Sequence, residues 1–68
     1  MRLYLVKRTD NVGRDEYRSA VIAARCEGDA ELETQLLTGF RAGNFTTEQI
    51  AARTNQPAGL VVADCKEG

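Results

Sequence analysis

Asn44-Phe45-Thr46-Thr47-Glu48-Gln49-Ile50-Ala51-Ala52-Arg53 decides the fold, because this stretch supports two incompatible readings. Thr46 and Gln49 have the spacing of a capping box, and Phe45 and Ile50 hold the two positions of a hydrophobic staple, which together predict a helix. Phe45 to Ile50 is also rich in β-favouring residues, and a strand here would complete a sheet begun elsewhere in the chain. Local chemistry leaves both readings open. The helical reading extends to residues 47–61 as a degenerate helix-turn-helix, with Ile50-Ala51 in its first helix and Val61 in its second. That pattern departs from the motif where Thr54 replaces a core Leu and where Pro57-Ala58-Gly59 would open the recognition helix. Only Arg53 and Lys66 offer nearby positive charge for phosphates.

The flanking segments read more plainly. Asn55-Gln56-Pro57-Ala58-Gly59 is a turn by composition, and Leu60 to Cys65 follows it as a last strand. At the start of the chain, Leu3 to Val6 predicts a strand with Leu3 and Leu5 on one face and Tyr4 and Val6 on the other. Thr9 to Glu16 gathers turn formers around Gly13 and reads as a hairpin loop. Tyr17 to Cys26 gives a second strand whose Ala20, Ile22 and Ala24 share a face, and the small alanines leave room for a helix to approach. That helix is expected to start near Asp29, with acids in its first turn where the macrodipole favours them. Its expected apolar stripe is Leu32, Leu36, Leu37 and Phe40, widened by Ala30, with Gly39 or Gly43 as the stop.

At 68 residues the chain is read as a single domain, 1–68, with a thin core: 43% of it is hydrophobic, but nine of those residues are Ala. Self-association or binding to something larger is expected on that ground. Lys and Arg number 9 against 10 Asp and Glu, for a net charge of −1 scattered over the whole length. That balance argues against a polyanion binder. Neither a signal peptide nor a membrane span is legible, so a cytoplasmic location is expected.

Catalytic chemistry has little to start from. There is no His, so a Ser or Cys has no base to activate it. Asp15 and Glu16 are adjacent, and neighbouring residues on a strand point to opposite faces. Cys26 and Cys65 form no C-x-x-C and no metal-ligand spacing, so no metal and no cofactor are expected. Two reduced thiols are the favoured state, and a disulfide stays open if the two strands carrying them are neighbours.

Leu3-Tyr4-Leu5-Val6-Lys7-Arg8-Thr9-Asp10-Asn11-Val12, with Asp15-Glu16-Tyr17 after it, resembles a family of short bacteriophage and prophage proteins that carry an R-T-D-x-V-x-x-D-E-Y hairpin loop. Phe45 to Ile50 and Gly59 to Ala63 look like that family's last strand pair. The resemblance implies an α+β fold, a small antiparallel sheet with one helix packed on a face, in the order β-β-α-β-β. It makes residues 45–50 a strand. Proteins of this size and setting often act by occluding a host protein, inhibitors of bacterial defence such as anti-CRISPR proteins among them. The expectation is therefore a non-enzymatic module that binds and blocks a host protein complex, with small DNA-binding or transcription-modulating proteins as the alternative. Candidate partner contacts are the loop residues Asp10, Arg14, Asp15, Glu16 and Tyr17, and the acidic helix start, Glu27, Asp29 and Glu31. Tyr4 and Val6 are expected on an uncovered sheet face, where they would join two copies of the chain or meet a partner.

Overall fold

A computed structural model describes residues 1–13 and 16–65. Its elements follow in the order β1 (Arg2–Arg8), β2 (Tyr17–Ala24), α1 (Glu27–Thr34), β3 (Phe45–Ala51) and β4 (Gly59–Cys65). The four strands form one antiparallel sheet in the spatial order β3-β1-β2-β4, and α1 lies across one face. This is the α+β, β-β-α-β-β arrangement. Among the described residues no helix is long and apolar enough to cross a membrane.

The ambiguous segment is a strand. Phe45–Ala51 lines the free edge of β1, with Val6 opposite Thr47 and Arg8 opposite Phe45. Backbone pairing along a whole strand outweighs a capping box, which satisfies only two donors at one helix end. With β3 and β4 both extended and residues 52–58 irregular between them, residues 47–61 contain no helix-turn-helix. The Thr54 amide donates to the Met1 carbonyl at 3.0 Å, which ties this connection to the start of β1.

The register of β1 on β2 corrects the expected exposure of Tyr4 and Val6. Tyr4 stands opposite Ile22 and Val6 opposite Ala20, so both join the face that α1 covers. They are buried with Ile22, Ala20, Ala24, Ala30 and Phe40 in the core. Leu3 and Leu5 pair with Ala23 and Val21 on the other face and are half-buried. Close approach of α1 depends on small residues at the contact, Ala30 above and Ala20 and Ala24 below.

The helix starts two residues before the expected Asp29. Cys26 is the N-cap, in extended conformation and with no side-chain cap bond, and the Ala30 amide donates to its carbonyl at 3.1 Å. The helix also ends at Thr34, before most of the expected stripe. Leu32 and Leu36 are 67% and 79% exposed, against the expected stripe, while Ala30 and Thr34 are fully buried. Thr34 hides its hydroxyl by donating to the Ala30 carbonyl at 2.6 Å. After Thr34 successive turns carry Leu37 and Phe40 onto the same face, so half of the stripe survives outside the helix.

The two cysteines cannot bridge within one chain. β2 and β4 are neighbours, but Cys65 stands opposite Tyr17 at one end of β2 and Cys26 follows its other end. The strand is 8 residues long, so its ends lie roughly 23 Å apart. A disulfide needs Cα atoms within about 7 Å.

One buried polar atom lacks a partner: among the described residues nothing bonds the Thr47 hydroxyl. Val keeps the shape and β preference of Thr without the hydroxyl. Thr47→Val is therefore expected to raise stability by about 0.5–1.5 kcal/mol, by removing an unsatisfied group. Urea unfolding of the two proteins measures it, and a loss of stability would show that the hydroxyl is bonded in solution.

Candidate interaction surface

Arg8 organises the loop end of the molecule. It closes β1, and its side chain is only 4% exposed, so its charge needs partners inside the protein. Asp10 supplies a bidentate one: Nε donates to Oδ1 at 2.6 Å and Nη2 to Oδ2 at 3.0 Å. Nη2 also donates to the Asn11 carbonyl at 3.2 Å and Nη1 to the Tyr17 carbonyl at 3.4 Å. The Glu16 carboxylate stands 3.8 Å from Nη2. The guanidinium carbon lies 5.9 Å from the centre of the Phe40 ring, within cation–π range, and Phe40 meets Phe45 edge-on at 5.6 Å.

Asn44 straps the long α1–β3 connection to this cluster. Its side-chain amide donates to the Gly39 carbonyl at 2.9 Å and to Asp10 Oδ2 at 3.3 Å, while its Oδ1 accepts from the Arg41 amide at 2.8 Å. Its carbonyl accepts from the Thr9 amide at 2.9 Å. Gly39 is required here on two counts. Its φ is +91°, and a Cβ on it would stand 2.5 Å from Arg8 Nη1.

Asp10, Glu16 and Tyr17, expected as partner contacts, are thus brought together around Arg8, the two acids through their carboxylates and Tyr17 through its main-chain carbonyl. Glu16 also accepts the Gly13 amide at 2.6 Å, which closes the hairpin loop. Arg14 and Asp15 lie outside the described residues. The residue that the sequence reading did not single out is Arg8, although the Arg8-x-Asp10 spacing across a strand end was in view. Asn44 was missed because Asp10, the partner that ties it to this cluster, is 34 residues away in sequence.

The acidic helix start is a separate surface. Glu27, Asp29 and Glu31 are exposed, and among the described residues none has an ion-pair partner. Beside them, between α1 and the end of β2, runs an open groove of about 330 Å³ with Met1, Ala23, Ala24, Leu32 and Ala58 as its apolar lining and Asp29, Glu33 and Arg25 as its charged one. The loop cluster and this groove sit at opposite ends of β2, roughly 23 Å apart, and do not form one contact surface. Among the described residues no group of three acids or thiols could hold a metal ion.

The Arg8 guanidinium, through its hydrogen bond, holds the Asp10 carboxyl below the usual carboxylate range. A carboxylate with a depressed folded-state pKa stabilises fully above its unfolded value and loses that contribution as pH falls through the folded value. Asp10→Asn is therefore expected to be less stable than the parent at neutral pH, with the gap closing as pH falls below about 4. Denaturant midpoints measured from neutral to acid pH check this; a gap independent of pH would contradict it.

No protein-family model, curated protein or solved structure matches the chain, so its functional reading rests on this geometry and on the residues quoted above.

Proposed function

We propose that this chain is a non-catalytic protein-binding module that works by covering a basic surface on a larger protein complex, in the manner of phage inhibitors of bacterial defence such as anti-CRISPR proteins. The observation that carries the reading is the uncompensated acidic start of α1. Glu27, Asp29 and Glu31 project from the first turns with no basic residue in the last turn of the helix, and Leu32 is exposed next to them. The helix macrodipole accounts for acids in a first turn, but it does not require an exposed Leu in their midst. Charge brings the partner on, and the adjoining apolar groove gives contact area once water is displaced. At the far end the charges of Asp10 and Glu16 already meet Arg8, so those two side chains serve stability.

Capture from bacterial lysate tests the reading. The tagged chain should retain a defined protein complex, with retention weakening as salt rises. The triple variant Glu27→Gln, Asp29→Asn, Glu31→Gln should lose that complex while its circular dichroism is unchanged. Equal capture by the variant, or retention of duplex DNA in place of a protein, would overturn the proposal.

A further inference from the structure

We infer that the free edge of β4 pairs with β4 of a second copy of this chain, joining two four-stranded sheets into one. Both β3 and β4 are edge strands, and each presents a row of backbone donors and acceptors to whatever lies beside it. Their side chains treat that liability differently. β3 carries the charge of Glu48 at its centre, and antiparallel pairing of two β3 strands about that point would set two carboxylates face to face. β4 has no charge from Gly59 to Ala63. Leu60, Val61 and Val62 are 49%, 37% and 58% exposed, three consecutive large apolar residues among the seven exposed ones in the described chain.

Charge also favours a second copy as the occupant. β4 carries one acid in its described side chains, Asp64, and it is held at 2.6 Å by Arg18 of the neighbouring strand. In an antiparallel pair with its two-fold axis near Val61 and Val62, each Asp64 lies beyond the centre of the other strand's apolar run. The two carboxylates are then roughly 13 Å or more apart along the strands, and like charges do not meet. A β3–β4 contact between copies would leave a free β3 and a free β4 at its ends and propagate without limit, whereas β4–β4 pairing closes at two.

The bulge in β4 sets how strong this can be. Val62 pairs with Val21 and Leu60 with Ile22, so Val61 has no partner on β2 and the edge is not flat over its whole length. Association is accordingly weak and dependent on concentration. The axis of such a pair stands perpendicular to the sheet, so both α1 helices fall on the same face and the dimer displays two acidic surfaces side by side. The inference does not rest on the proposed function, because the paired edge and the helix start share no residue.

Sedimentation velocity over a wide concentration range is the test. The expected result is a shift from the 7.5 kDa monomer to twice that mass. Val62→Lys should raise the dimer dissociation constant on the order of tenfold or more, since the new charge is desolvated against an apolar strand. Its circular dichroism should match the parent, Val62 being exposed in the monomer. Ile50→Lys on the β3 edge should leave the dimer intact. A monomer at every concentration, an assembly larger than a dimer, or a dimer broken by Ile50→Lys and not by Val62→Lys would overturn the inference.

Discussion

The register of β1 on β2 is the constraint from which the rest of the molecule follows. With Tyr4 opposite Ile22 and Val6 opposite Ala20, the bulky residues of one strand and the small residues of the other form a single surface. Tyr4, Val6, Ile22 and Phe40 are the large side chains of that core, and the alanines let α1 sit low over it. A slip by one residue would turn Leu3 and Leu5 under the helix and expose Tyr4 and Val6. Each fully buried large side chain contributes about 1.5–3 kcal/mol. Few such side chains exist in a core where, among the described residues, four of the eight buried hydrophobic ones are alanine. A core this thin leaves half-buried Leu3 and Leu5 on one face and exposed apolar residues on an edge.

The Arg8 cluster closes one end of that sheet. A guanidinium at the end of β1 draws the hairpin loop inward through Asp10, Asn11, Glu16 and Tyr17, and Asn44 adds the α1–β3 connection. Three segments distant in sequence are thereby fixed against each other by polar contacts where apolar side chains are few. Among the described residues the other end of the sheet has no such network, and there the helix start carries acids with no ion-pair partner beside an open groove.

How far the sequence speaks depends on whether the deciding contacts are local. Both hairpin strands, the loop and the terminal strand were legible, because alternation and turn chemistry are written into neighbouring residues. The residues of Phe45–Ala51 left helix and strand both open, since the capping box and staple are local signals while the pairing with β1 lies some 40 positions away, and the expected β-β-α-β-β order is what made the segment a strand. The helix was recognised but drawn too long: it ends at Thr34, so Leu36, Leu37 and Phe40 of the expected stripe lie beyond it, and within it Ala30 and Thr34 face the sheet while Leu32 does not. Tyr4 and Val6 were assigned to the wrong face. Alternation shows that two faces differ, and only the register with β2 shows which one the helix covers. Asp10, Glu16 and Tyr17 were expected to face a partner, and composition could not reveal that all three contact Arg8 of the same chain.

The central claim is that residues 45–51 complete the sheet on the outer side of β1, above a core built on Tyr4 and Val6. Cross-strand nuclear Overhauser effects test it most directly, because antiparallel neighbours bring backbone protons of paired residues close together. The account predicts backbone contacts between Val6 and Thr47 and between Leu5 and Glu48, together with side-chain contacts from Val6 and Tyr4 to Ala30. Sequential helical contacts running from Thr47 to Arg53, with none to β1, would contradict it.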